Sequence, residues 1–166
     1  IHIMNWQNSE ALTAFLSLWP YLISVLTSAG IGIYAVRKRA VVSARLFAFV
    51  ALAEATASLG YIFELMSPTL TGKIFWDNMQ WLSDMGVITA VLLFALAYTG
   101  HKAAHAKRTR LVLAVVPLIV IVLVMTDPLH GWLHPAPHLV PGEPFSTLAY
   151  DFNVLVLGLT LYGQGI

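Results

Sequence analysis

Two acidic residues lie within otherwise strongly apolar sequence, and they are the first candidates for chemistry. Glu54 falls near the middle of one apolar stretch, and Asp84 lies about a third of the way along the next. Because a charge at mid-bilayer costs at least ~2.5 kcal/mol on insertion scales, such a residue faces other helices or water. The pair predicts a polar cluster that binds a ligand or senses protons or, alternatively, plain interhelical hydrogen bonding to neighbouring hydroxyl groups. Those hydroxyls belong to Thr56, Ser58, Ser83 and Thr89.

Two more acids lie near the ends of apolar stretches. Glu64 and Asp77 are close enough to the expected membrane interface for water to solvate them. Interfacial charges are far cheaper than charges at the bilayer centre. Solvation is therefore the simpler interpretation of both, and Glu64 is kept as a further candidate for ligand or proton sensing.

Three histidines recur every four residues in a proline-rich segment, at His130, His134 and His138. On a helix this spacing would align three imidazoles as ligands for zinc or copper. Pro135 and Pro137 break the helix that the spacing needs. The three histidines are thus weak metal candidates, and the sequence predicts no metal site. A response to external pH by one or more of them is another interpretation, with His130 as the sensing candidate. Otherwise they are ordinary loop histidines.

Several kinds of chemistry have no residues to support them. No histidine falls within the apolar stretches, which disfavours haem and chlorophyll ligation through intramembrane imidazoles. The chain has no cysteine, which removes thiolate metal sites and thiol catalysis. No phosphate loop, nucleophile elbow or zinc-protease helix can be found. We therefore predict no catalytic residue, no enzyme activity and no cofactor in this chain.

The elements that must position these residues are long apolar helices. Hydrophobic residues make up 58% of the chain and charged residues 10%, against about a quarter charged in ordinary globular domains. A spanning helix needs about 20 mostly apolar residues. The fold is therefore an all-α transmembrane bundle of about five spanning helices, forming one domain over residues 1–166. The predicted helices cover residues 14–36, 42–66, 76–98, 110–126 and 148–164.

The distribution of positive charge predicts the orientation. Eight of the nine Lys and Arg residues fall in or beside the first and third connections, including Arg37-Lys38-Arg39. The positive-inside rule places those connections in the cytoplasm. The N-terminus and the proline-rich loop 127–147 are then outside the cell. The membrane is expected to be the cytoplasmic (inner) membrane of a bacterium. Both chain ends look arbitrary, which favours a fragment of a longer protein.

The expected partners follow from the same features. The basic connections are too short to bind nucleic acid but can touch anionic lipid headgroups. The lipid bilayer is therefore the first partner. Other membrane helices are the second, in a homodimer or in a larger membrane complex.

Short motifs along most of the chain, from about Tyr34 to Tyr150, carry a family resemblance through their order and spacing. They are Arg37-Lys38-Arg39 with Ala44-Arg45-Leu46-Phe47, Tyr61-Ile62-Phe63-Glu64-Leu65, Lys73-Ile74-Phe75-Trp76, Phe94-Ala95-Leu96-Ala97-Tyr98-Thr99-Gly100, Thr126-Asp127-Pro128-Leu129-His130 and Gly142-Glu143-Pro144-Phe145. Together they resemble the N-terminal seven-helix membrane region that precedes bacterial sensor histidine kinases, here truncated after about five helices.

The resemblance implies signal reception, with any kinase output module lying outside this chain. The first hypothesis is therefore a membrane-embedded sensory input domain. The alternative is an accessory structural subunit packed into a larger photosynthetic or respiratory membrane complex. A transporter fragment rests on the intramembrane acids, and the lack of paired helices broken by Gly or Pro weakens it.

Overall fold

The computed structural model describes residues 2–38 and 42–164. Within them the chain is nearly all helix, which confirms the predicted all-α bundle. A two-stranded antiparallel sheet lies between the last two helices. The elements are α1 (His2–Arg37), α2 (Val42–Met66), α3 (Leu70–Tyr98), a 3-10 turn (Lys102–His105), α4 (Lys107–His130), β1 (His138–Val140), β2 (Thr147–Ala149) and α5 (Val154–Gln164).

Four helices in the described part of the chain are long and apolar enough to cross a membrane. The described part of α5 has 11 residues. At 1.5 Å per residue it spans roughly 16 Å, about half of the ~30 Å hydrocarbon core. A fifth spanning helix therefore stays a prediction. Arg39, part of the predicted basic connection, lies outside the described residues. The four long segments are Ala11–Arg37, Ser43–Met66, Leu70–Tyr98 and Lys107–His130.

Helix α3 begins at Leu70 rather than near residue 76, where the sequence predicted its start. Thr69 is the N-cap, with extended backbone and a side-chain oxygen that accepts a hydrogen bond from the N–H of Gly72 at 3.2 Å. Hydropathy missed this start because the first turn is polar, whereas a capping threonine needs no apolar neighbour. The earlier start adds residues 70–75, including Lys73, to the helix and moves Asp84 to its midpoint.

Helix α4 ends at His130, so the loop begins there rather than at residue 127. The proline density of the segment predicted no helix, but Pro128 is inside the last turns of α4. A proline there removes one hydrogen bond and does not by itself end the helix. Gly131 ends it instead, with a left-handed φ of 61° and a 2.7 Å hydrogen bond from its N–H to the carbonyl of Asp127.

The segment between α4 and α5, residues 131–153, is called the α4–α5 loop below. It contains a short hairpin in which Leu139 of β1 pairs with Leu148 of β2. Because residues 147–149 are in this hairpin, α5 begins at Val154 rather than at 148. Asn153 caps α5, since its Oδ1 accepts the N–H of Val156 at 2.8 Å. Its Nδ2 donates to the carbonyl of Trp132 at 2.7 Å, which ties both ends of the loop together.

Small residues let α1 pack closely against α2. The hydroxyls of Ser24 and Ser58 are 2.9 Å apart across the two helices. A Cβ added to Gly32 would lie 2.7 Å from Cγ of Leu52, so only glycine fits at this crossing without movement. Close approach through small residues is the usual packing mode of membrane helices.

The buried core joins α3, α4 and the α4–α5 loop. Met85, Val120, Val124 and Leu133 are each 2% exposed or less and form one apolar cluster. Partly buried side chains of α3, α4 and α5 pack around this cluster. The loop is therefore part of the core rather than a free connection. The end of the bundle where it packs is called the loop end below.

Candidate functional site

The two mid-membrane acids line one cavity. Glu54 lies at the midpoint of α2 and Asp84 at the midpoint of α3. The cavity measures about 400 Å³ and is bounded by α2, α3, the α4–α5 loop and α5. The structure thus brings together two predicted site residues from different helices. Other lining residues include Asp77, Gln80, Trp81, Tyr150, Leu159 and Thr160.

The hydroxyl groups expected to bond these acids have other partners. Within the described residues, no hydrogen bond reaches the carboxylate of Glu54 or of Asp84. Interhelical hydrogen bonding therefore does not account for the two acids. Three of the four hydroxyls donate to the backbone carbonyl four residues earlier in their own helix, at Thr56, Ser83 and Thr89. The fourth, Ser58, pairs with Ser24 of α1.

The exposure of the two acids determines what the cavity must hold. Glu54 and Asp84 are exposed in the described chain although they lie at the depth of the bilayer centre. Hydrocarbon cannot solvate a carboxylate, so this space admits water, a polar ligand or polar groups of another helix. Trp81 and Tyr150 add aromatic rings to the wall. Carboxylates together with aromatic rings favour a positively charged ligand.

Glu64 lies in a second cavity, nearer the loop end. This space of about 410 Å³ shares Asp77, Gln80 and Tyr150 with the first. Glu64 is only 7% exposed, and its Oε2 accepts a 2.7 Å hydrogen bond from Nε2 of Gln80. The interpretation of Glu64 as a solvated interfacial residue is therefore wrong. The bond from Gln80 and the burial of Glu64 leave little of this carboxylate exposed to water.

Lys73 is fully buried and holds the end of α2. Its Nζ donates to the backbone carbonyls of Glu64 at 2.7 Å and of Leu65 at 3.2 Å. These carbonyls belong to the last turn of α2, where no helical N–H remains to pair them and the helix dipole favours a cation. The sequence showed Lys73 as the one cation of its connection but gave no sign that it caps the preceding helix.

A buried cluster joins the α4–α5 loop to two helices. The imidazole of His134, whose side chain is 2% exposed, lies between Asp77 of α3 and Asp127 of α4. Its Nδ1 is 2.6 Å from Oδ2 of Asp127, and its Nε2 is 2.7 Å from Oδ2 of Asp77. Asp77 also accepts from Nε1 of Trp81 at 3.1 Å, and Asp127 from the N–H of Leu133 at 2.7 Å. Asp77 is thus engaged by protein groups.

Two groups of the loop have perturbed acidities. Burial alone lowers the pKa of His134, but the hydrogen bonds and negative charges of Asp77 and Asp127 outweigh burial and raise the pKa above its ordinary value. Burial, followed by the charges of Asp77 and Glu64, raises the pKa of Tyr150 to about 12. The Tyr150 ring packs edge-on against the His134 ring at 5.0 Å. Of these two loop side chains, His134 is therefore the one whose charged form is favoured.

His130 has a different role from His134. Its Nδ1 accepts the N–H of Trp132 at 3.1 Å, so Nε2 carries the proton and donates to Oγ1 of Thr126 at 3.0 Å. A ring with this pattern is neutral. Its 3.6 Å approach to Asp127 is therefore not a charged pair in this arrangement.

The three loop histidines do not converge. Nδ1 of His138 bonds to the nearby carbonyl of Ala136 at 3.1 Å, whereas both nitrogens of His134 are taken by carboxylates. Among residues 2–38 and 42–164, no group of three or more His, Asp or Glu side chains is arranged to hold a metal ion. His130 instead bonds within its own helix end.

Four residues of the site had no signal in the sequence: Lys73, Gln80, Asp127 and Tyr150. Their partners are far away along the chain or on another element, as the contact of Lys73 with Glu64 shows. A polar residue near a helix end is ordinarily solvated. Only the early start of α3, signalled by Thr69 as N-cap, could have placed Lys73 in a helix. Gln80 already lay within the predicted helix, but the sequence gave no sign of its bond to Glu64.

The fold and the site define a multi-pass membrane protein whose apolar helices hold acidic residues in a cavity at mid-depth. The family model described as the N-terminal 7TM region of histidine kinase matches residues 20–165. This is most of the chain, so the chain belongs to that family, and the resemblance inferred from the short motifs is confirmed. A search of curated proteins and a search of solved structures found no match.

Proposed function

We propose that this chain receives the stimulus for a membrane sensor through the cavity that Glu54 and Asp84 line. Membership in the histidine kinase input family supports a sensory role in general. The observation that carries the finer proposal is that two mid-depth carboxylates have no hydrogen-bond partner among residues 2–38 and 42–164 and face one open space. Groups built only for packing would be paired, as the acids of the loop end are.

The stimulus is a small cation, or a proton, entering that cavity. Its charge compensates the two carboxylates, which lie on different helices. An occupied cavity therefore favours a closer approach of α2 and α3 than an empty one, and the difference shifts the helix packing. Thr160 and Leu159 of α5 line the same space, so the shift reaches the last described helix. Glu64 and His130, the other sensing candidates, have protein partners and do not line this cavity, so they are not proposed to receive the ligand.

Distance measurements between spin labels test this proposal. The chain has no cysteine, so cysteines introduced at lipid-facing positions such as Leu59 and Leu161 carry the labels. The chain is placed in lipid nanodiscs and exposed to choline or putrescine as cations, to succinate as an anion and to glycerol. The cations are expected to change the α2–α5 distance, whereas succinate and glycerol do not.

Variants assign the response to the cavity. Glu54→Gln and Asp84→Asn are expected to abolish it, and Glu143→Gln, at an exposed loop acid, is the matched control that keeps it. No change with any cation or with pH would contradict the proposal. So would a response that survives both cavity substitutions.

The membrane location of the chain and its orientation are still predictions. An external N-terminus rests on the charge distribution, and location in the inner membrane of a bacterium rests on the family. Protease mapping that finds Arg37 on the exterior would overturn the orientation. The accessory-subunit alternative would gain support from co-purification in fixed stoichiometry with pigment or redox subunits.

A further inference from the structure

The α4–α5 loop covers one side of both cavities. Its residues Thr147, Leu148 and Tyr150 line the cavity that holds Glu64, and Tyr150 also lines the cavity of the mid-membrane acids. The loop is held down by a fully buried apolar side chain, Leu133, and by the buried ring of His134. Whatever loosens these two anchors opens both cavities on the loop side.

The polar anchor is a cation between two anions. An imidazole that donates from both nitrogens is protonated, and His134 has a carboxylate oxygen within 2.7 Å of each nitrogen. The two carboxylates come from α3 and α4, whereas the imidazole comes from the loop. A neutral ring can donate to one of them only, which would leave the other carboxylate facing a nitrogen lone pair.

We propose that the α4–α5 loop is a lid latched to α3 and α4 by His134 between Asp77 and Asp127, and that loss of the His134 proton releases it. This latch is independent of the proposed function, because it needs no ligand in the cavity. It assigns a switching role to His134 rather than to His130, whose neutral ring bonds within the end of α4.

Among the described residues, charged or titratable groups face the latch from three helices and from the loop. Helix α2 contributes Glu64, which is paired with Gln80. Helix α3 contributes Asp77, and α4 contributes Asp127 with His130 on its other oxygen. The loop contributes Tyr150, whose pKa of about 12 keeps it neutral over the range of interest.

The direction of the pH response follows from the raised pKa of His134. The latch contributes fully below about pH 6.5, the ordinary imidazole pKa, and is lost as pH rises through the higher pKa of the latched state. Alkaline conditions therefore open the lid. Each unit of pKa difference between the latched and released ring is a factor of about ten in the opening equilibrium.

Thiol labelling tests the latch in the whole chain. A single cysteine is introduced at Leu148, which is half-buried and lines the cavity on the inner side of the lid. It is compared with a single cysteine at the exposed Val140 of the same hairpin. Both are placed in lipid nanodiscs and treated with the anionic reagent methanethiosulfonate ethylsulfonate from about pH 6 to 9.5. Taking the ratio of the two rates cancels the intrinsic pH dependence of thiol reactivity. The ratio is expected to rise with pH, by about tenfold per unit of raised pKa.

Variants separate the latch from general loosening. Asp127→Asn removes one anion and is expected to move the transition to lower pH, whereas Glu64→Gln and His138→Gln leave it in place. His134→Gln should give a high ratio at every pH. A ratio that does not change with pH, or a transition unaltered by Asp127→Asn and His134→Gln, would overturn the proposal. If His134→Gln fails to fold, Asp127→Asn and the wild-type titration still decide.

Discussion

The acids of the loop end and the acids at mid-depth differ in what surrounds them. Asp77, Asp127 and Glu64 each accept at least one hydrogen bond of 2.7 Å or less from a protein group. Glu54 and Asp84 accept none among the described residues and face an open cavity. The difference separates acids that hold the structure together from acids that are free to meet a ligand.

This contrast predicts opposite effects of the same substitution. Asp127→Asn breaks the buried pair with His134 and is expected to lower the free energy of unfolding by about 3–5 kcal/mol. Asp84→Asn removes an exposed charge that has no hydrogen-bond partner in the described part of the chain, and it should cost less than about 0.5 kcal/mol. Denaturation by SDS in bicelles measures both. Equal losses of stability would remove the distinction between the two sets of acids.

A second substitution tests how the loop end is fastened. Lys73→Met keeps the length of the side chain but leaves the carbonyls of Glu64 and Leu65 without their charged donor. The loss should be about 2–3 kcal/mol, because hydrogen bonds to charged groups are the strong ones. Lys102→Met, at an exposed position, is the control and should be near neutral. A Lys73→Met variant as stable as the unsubstituted protein would mean that the end of α2 needs no cap.

A third pair of substitutions concerns packing away from both sets of acids. A Cβ at Gly32 would press against Leu52, whereas a Cβ at Gly30 has no atom within 4 Å among the described residues, so Gly32→Val is compared with Gly30→Val. Overpacking typically costs about 1–3 kcal/mol, so only the Gly32 variant should lose stability to that extent. The SDS concentration at the midpoint of unfolding, measured for both variants, shows which of them loses stability. If both behave alike, the close α1–α2 crossing is not tight in the membrane.

The smallest expected effect is at the end of α4. Gly131 has a φ of 61° that favours glycine, so Gly131→Ala should cost about 1 kcal/mol. Gly158 is inside α5 with nothing within 4 Å of an added Cβ among the described residues. Gly158→Ala is therefore expected to be neutral or slightly stabilising. A larger effect at Gly158 than at Gly131 would show that α5 packs against something further.

The sequence could predict the helices because hydropathy over about 20 residues is a local property. It could single out Glu54 and Asp84 as candidate site residues for the same reason, since an acid within an apolar run is visible from its immediate neighbours alone. It could not predict the latch, because His134 and Asp77 lie 57 positions apart. It also put the start of α3 too late, since the polar first turn after Thr69 hides the helix from a hydropathy window.

The accessibility of Asp84 to water tests the central claim most directly. A cysteine at Asp84, in the cavity, is compared with one at Leu118, an exposed apolar position near the midpoint of α4. Both are treated in lipid nanodiscs with the cationic reagent methanethiosulfonate ethyltrimethylammonium. The account predicts that the cysteine at position 84 reacts and the one at position 118, which lipid covers, does not. A cysteine at position 84 that stays unreactive while its variant folds would contradict it.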